Sequence, residues 1–153
     1  MLASGAKAPE VSLSTLSGRR ETLAETRAQG PLLLVFYKGG CPVCQMTLPF
    51  LQRLSAGDLP IIAISQDSST ETEQFQKRFG VTLPVLLDRK EDGYPASNAF
   101  GITNVPSLFL IEPDGKISVA VSGFRKADLE VLGQRAGVEI FGAHETVPEW
   151  KAG

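Results

Sequence analysis

Both cysteines of this 153-residue chain fall in one short run, Cys41-Pro42-Val43-Cys44. Two thiols with two residues between them can cycle between dithiol and disulfide, one sulfur attacking and the other closing the bond. The spacing has a physical basis if a helix begins at Pro42 with Cys41 as its cap. Cys44 then lies on the same face, within disulfide reach. Pro42 suits the first helical position, where a missing N–H costs nothing. The unpaired N–H groups and dipole of that helix end favour a thiolate on Cys41, and Lys38 lies close upstream to add positive charge. Cys44, deeper in the helix and less exposed, is then the resolving thiol.

Three plainer readings compete. A zinc half-site needs further ligands, yet the chain has no other cysteine and His144 is its only histidine. A purely structural disulfide between such near neighbours closes a tiny loop and constrains the unfolded chain little. Two inert buried thiols could share the spacing by chance. The setting of the pair favours redox chemistry over all three, with no metal and no cofactor required.

That setting follows from the elements on either side. Leu32 to Tyr37 is a continuous apolar run, as expected of a central strand buried on both faces, and Gly39-Gly40 makes a tight approach to Cys41. The helix from Pro42 carries Met46, Leu48, Leu51 and Leu54 on one side, with Pro49 inside it as an expected kink. Ile61 to Ser65 is the next buried strand, completing a β-α-β unit with a right-handed crossover. Val11 to Leu16, the turn Ser17-Gly18 and Arg19 to Leu23 predict an N-terminal hairpin, followed by a short irregular or helical piece to Gly30.

Ser69 to Glu73 resembles a helix start, with Phe75 and Phe79 on its inner face and Gly80 at its end. A short strand, Val85 to Asp88, precedes the turn at Asp92-Gly93 and a short helix over Tyr94 to Phe100. Ser107 to Ile111, the turn Pro113-Asp114-Gly115 and Ile117 to Val121 predict a hairpin. Lys126 to Ala136 is a final amphipathic helix, and the tail 138–153 has no assignable structure. The expected architecture is α/β, with a mixed central sheet flanked by helices.

With 42% hydrophobic residues, the chain suits one domain over 1–153, comprising an N-terminal hairpin extension (1–30), the core and the tail (138–153). A net charge of -2 leaves no basic surplus to bind nucleic acid. The longest apolar run, Pro31 to Tyr37, is far too short to span a membrane. Met1 to Glu10 lacks the charged and apolar regions of a signal peptide, which gives the cytoplasm as the expected compartment.

Taken together, several segments resemble a thioredoxin-fold group that joins TlpA-type disulfide reductases to the AhpC/TSA peroxiredoxins. They are Gly5-Ala6-Lys7-Ala8-Pro9, Phe36 through Cys44, Ile62-Ala63-Ile64-Ser65, Phe100-Gly101-Ile102 and Val105 through Ile111. The resemblance implies a thioredoxin fold, with Cys41 attacking and Cys44 resolving. It also implies that Pro106 is the family's cis-proline, packed beside the redox pair, and that Val105 and Pro106 offer an edge where a substrate strand can pair. Pro49 matches the kink proline of the family helix. Three positions depart from the pattern. Gly40 replaces the aromatic residue before the first cysteine, Val35 the buried acid of the central strand, and Thr47 the glutamate after the second cysteine. Without those acids, proton transfer at Cys44 must use water or another group.

Two activities fit this resemblance. One is a thiol–disulfide oxidoreductase with a protein or small-molecule disulfide as substrate and an external thiol as reductant, working as a monomer. The other is a thiol peroxidase, with Cys44 as the attacking sulfur. Peroxide cleavage needs donors aimed at the oxygens, which the peroxiredoxin pattern supplies as a threonine and an arginine. Here Cys41 and Pro106 stand in those places, and Arg125 is on a different segment. The missing donors favour disulfide exchange.

Overall fold

The computed structural model describes residues 1–27 and 30–153. In chain order, the N-terminal part comprises strands β1 (Ser12–Thr15) and β2 (Arg20–Thr22), helix α1 (Leu23–Arg27) and strand β3 (Leu32–Tyr37). Helix α2 (Pro42–Leu54), strand β4 (Ile61–Ser65), helix α3 (Ser69–Phe79) and strand β5 (Val85–Leu87) follow. The C-terminal part runs through α4 (Pro95–Phe100), β6 (Ser107–Ile111), β7 (Ile117–Ser122), β8 (Phe124–Arg125), α5 (Lys126–Ala136) and β9 (Trp150–Lys151).

All six side chains of β3 are buried, as its unbroken apolar run requires. β4 pairs parallel to one edge of β3 and β6 antiparallel to the other. The seven-stranded sheet has the order β2-β1-β5-β4-β3-β6-β7. The expected N-terminal hairpin is present, and it extends the sheet because β1 pairs antiparallel with β5. The short piece after it is α1; residues 28 and 29 of the expected stretch to Gly30 lie outside the described residues.

Because side chains alternate along a strand, β3 feeds two cores. Leu33, Val35 and Tyr37 join Cys44 and Leu48 of α2, Phe75 of α3 and Leu129 of α5. Leu32, Leu34 and Phe36 face the opposite side with Phe100 of α4 and Phe109. Val35 is thus an ordinary core residue at the position where the resemblance led one to look for an acid. Asp88 leaves the end of β5 and turns fully inward, where its carboxylate accepts from the backbone N–H groups of Ala96 (2.9 Å) and Ser97 (2.8 Å). It caps the start of α4, a structural duty.

The tail, unassigned in the sequence, has a definite course. Ile140 is buried, and the Phe141 ring packs 4.9 Å from that of Phe50 on α2. Trp150–Lys151 then pairs antiparallel with Phe124–Arg125.

Candidate redox site

The site is the junction of β3 and α2. β3 ends at Tyr37, and the Cys41 N–H donates back to the Lys38 carbonyl (3.2 Å), closing a turn through Gly39-Gly40. Two side chains brace this turn. Asp67 accepts from the Gly39 N–H at 2.7 Å, and Gln45 Nε2 donates to the Gly39 carbonyl at 2.8 Å. A Cβ at Gly39 would lie 3.1 Å from the Asp67 carboxylate and 3.5 Å from the Phe75 ring, so the close approach favours glycine.

Cys41 has extended backbone angles (φ -85, ψ 116) and caps α2, with Pro42 in the first turn as expected. Its Sγ accepts from the Cys44 N–H at 3.2 Å, and its S–H points at the Val105 carbonyl 3.5 Å away. The Val105–Pro106 peptide bond is cis. Pro106 itself is buried and Val105 half-buried, and the Val105 carbonyl is the part of this loop that faces Cys41.

Both cysteines are free thiols, but their surroundings differ sharply. Cys41 is partly exposed, whereas Cys44 is 0% exposed and sits in the core against β3. Burial pushes the Cys44 thiol far above the ordinary thiol range. Its hydrogen bond with Cys41 adds to the rise, a Lys38 backbone group opposes it, and the charges of Cys41 and Asp67 raise it further. Tyr37, at the end of β3, is pushed up to about 12, by burial first and then by Asp67 and Cys44 against a lowering hydrogen bond with Ser65.

Asp67 is the charged side chain beside this turn that sequence reasoning did not single out. Thr47, at the position of the family glutamate, spends its hydroxyl on the Val43 carbonyl (2.7 Å). The carboxylate whose field reaches both Cys44 and Tyr37 is instead Asp67, just past the end of β4. A signal for it existed. Parallel β3 and β4 finish together, Tyr37 opposite Ser65, so residues following the two strands meet at one end of the sheet. A groove of about 200 Å³ beside the turn is bordered by Gly39, Gly40, Asp67, Phe75 and Phe79.

The remaining candidates lie elsewhere. Arg125 is exposed on β8, its guanidinium 6.0 Å from the centre of the Trp150 ring, and His144 is exposed in the tail. Among the described residues, no group of three or more His, Cys, Asp or Glu side chains could hold a metal ion. No described helix is long and apolar enough to cross a membrane.

The AhpC/TSA family profile matches residues 4–120 of the chain. The chain belongs to the AhpC/TSA family. Among relatives of this AhpC/TSA protein, the thiol-disulfide oxidoreductase ResA of Geobacillus thermodenitrificans is 31% identical over 127 residues, covering 80% of this chain and 71% of that protein. The ResA of Bacillus subtilis is 27% identical over 127 residues, covering 80% and 69%. The thioredoxin domain of a thiol-disulfide oxidoreductase from Bacteroides vulgatus superposes with a TM-score of 0.76 at 22% identity, over 88% of this chain and 98% of that one. That last likeness is one of fold, and it bears out the expected thioredoxin architecture. The ResA relatives bear out the expectation of a thiol–disulfide oxidoreductase enzyme.

Proposed function

We propose that this AhpC/TSA-family enzyme reduces disulfides by dithiol exchange, with Cys41 as nucleophile and Cys44 as resolving thiol. The observation that carries the reading is the unequal placement of the two sulfurs. Cys41 Sγ is partly exposed at a helix N-terminus with the Cys44 N–H donating to it, whereas Cys44 is sealed in the core. A donor already aimed at Cys41 supports negative charge there, both as attacking thiolate and as leaving group.

The Cys41 thiolate attacks one sulfur of a substrate disulfide, forming a mixed disulfide and releasing the other sulfur as a thiolate, which takes up a proton. Cys44 then attacks Cys41 Sγ, its proton passing to the departing substrate sulfur. The Cys41–Cys44 disulfide forms and the second substrate thiol departs. Two electrons have passed to the substrate, and an external thiol reductant restores the dithiol. A substrate backbone lying along Val105 would bring its sulfur to Cys41, because the Val105 carbonyl is 3.5 Å from Cys41 Sγ. A protein or a small molecule can serve as substrate, and a monomer suffices, since every group invoked is on one chain.

Peroxidase chemistry through Cys44 fits less well. It needs a Cys44 thiolate open to peroxide, and burial both shields that thiol and keeps it protonated.

The test is trapping. Cys44→Ser should accumulate a mixed disulfide on Cys41, read by mass spectrometry after exposure to a disulfide-bridged peptide. If Cys41→Ser instead accumulates an adduct on Cys44, the two roles are reversed.

A further inference from the structure

Residues 138–153 lead back to the redox site, and four sets of contacts fix their course. Phe141 packs against Phe50 and Phe124, with ring centres 4.9 and 6.1 Å away. Arg53 of α2 donates to the Ile140 carbonyl (3.1 Å) and to the Glu145 carboxylate (2.8 Å). The Lys126 N–H donates to the Glu149 carbonyl at 3.0 Å, and β9 pairs with β8. The segment then runs over Gly123, where a Cβ would lie 2.4 Å from the Lys151 carbonyl oxygen and 3.2 Å from the Gly153 nitrogen.

Gly153 reaches the redox loop itself. A Cβ on Gly153 would lie 2.1 Å from the Val105 carbonyl oxygen and 2.7 Å from its carbon. This is the carbonyl that also faces the Cys41 thiol. The approach is open only to a residue without a side chain.

We propose that Trp150–Gly153 determines substrate class by covering the Val105 backbone, so that protein disulfides carried on an extended strand must displace it while small disulfides reach Cys41 past it. This rests on the proposed role of Cys41 and on substrate pairing at Val105. The segment is built to move. Its paired part is two exposed residues long, and so short a strand holds weakly, while Ile140, Phe141 and Glu145 anchor the chain upstream. Displacement exchanges one set of backbone contacts at Val105 for another. The segment therefore discriminates by shape and leaves the sulfur chemistry unchanged.

The experiment compares two disulfides, insulin and 2-hydroxyethyl disulfide, on the full chain and on two variants. Gly153→Val places a side chain where none fits against Val105, and Lys151→Pro removes a backbone donor from β9. Both residues are exposed. Each variant should speed reduction of insulin severalfold and leave the 2-hydroxyethyl disulfide rate unchanged. The fluorescence of Trp150, the sole tryptophan, should shift in both variants as the segment lifts. An unaltered ratio of the two rates, or equal changes in both, overturns the role of the segment and leaves that of Cys41 standing. If the unmodified chain reduces neither compound, the Cys41 reading falls, and this inference with it.

Discussion

The starts of α2 and α3 have the same plan with different atoms. In α3, Ser68 caps the helix and accepts from the Glu71 N–H at 3.2 Å, while the Glu71 carboxylate reaches back to the Ser68 hydroxyl at 2.9 Å. In α2, Cys41 and Cys44 occupy the same two positions, and the Cys44 N–H donates to Cys41 Sγ at 3.2 Å. The α3 box closes on itself through oxygen acceptors and stabilises the helix start, typically by about 1 kcal/mol. The α2 pair gives up part of that gain. Sulfur is a weaker acceptor than a hydroxyl, and the Cys44 side chain turns into the core instead of back toward the cap. What α2 gains is two sulfurs one helical turn apart in unlike surroundings. Capping geometry alone thus provides the spacing for a redox pair, and burial of one member places the two sulfurs in unlike surroundings.

The strongest way to break this comparison is to make α2 resemble α3. Cys41→Ser should abolish disulfide exchange and yet raise the stability of the reduced protein, by up to about 1 kcal/mol, because a hydroxyl caps better than a thiol. An exchange assay beside urea melts checks both halves. A loss of stability would show that the sulfur cap is not the weaker one. The mirror variant, Ser68→Ala, should cost about 1 kcal/mol and leave exchange intact.

Next in size is a pH effect from the buried side of the α2 turn. The pKa values of Tyr37 and Cys44 are raised above their ordinary values of 10.0 and 9.0, Tyr37 to about 12. A raised native pKa means that the folded state holds its proton more tightly. That stability is whole below the ordinary value and drains as pH climbs through the folded one. The reduced protein should therefore weaken from pH about 9 upward, with a Tyr37 share of about 2–3 kcal/mol gone by pH about 12. The oxidised protein has no Cys44 proton to lose and should begin to weaken only from pH about 10. Identical urea midpoints for the two forms across this range would remove Cys44 from the account.

The smallest effect concerns the residue that joins the two helix starts. Asp67 immediately precedes the Ser68 cap and accepts from Gly39 ahead of α2. Its charge raises both Tyr37 and Cys44. Asp67→Asn should move the Tyr37 titration, followed by ultraviolet absorbance, a little below its raised value without stopping exchange, because burial supplies most of the rise and remains. An unmoved titration would show that the Asp67 field does not reach the site.

Much of the molecule was legible from short stretches of sequence. The final helix runs from Lys126 to Ala136 as expected, and β3 is the buried run it was read to be. The turn at Gly115 forms, its glycine at φ 85. These features depend on propensity, capping and periodicity within a few residues. Asp67 was only half legible: the β-α-β order places the residues after β3 and β4 at one end of the sheet, but the hydrogen bond that joins Asp67 to Gly39 across 28 positions forms only in the assembled sheet. The course of the tail was not legible. Its strand is two residues long, and its anchors on Phe50, Arg53 and Phe124 are remote in sequence.

By itself, the sequence determined which atoms can react and where the helix that carries them begins. A proline in the first turn, a cap before it and a second thiol one turn later act over neighbouring residues. Only the tertiary structure decided that Cys44 is wholly sealed and its thiol pushed up by burial, that Asp67 braces the turn before Cys41, and that Gly153 lies against Val105. Burial, electric field and steric cover at a point arise from surfaces supplied by distant parts of the chain, and those surfaces meet only when the sheet and helices have assembled.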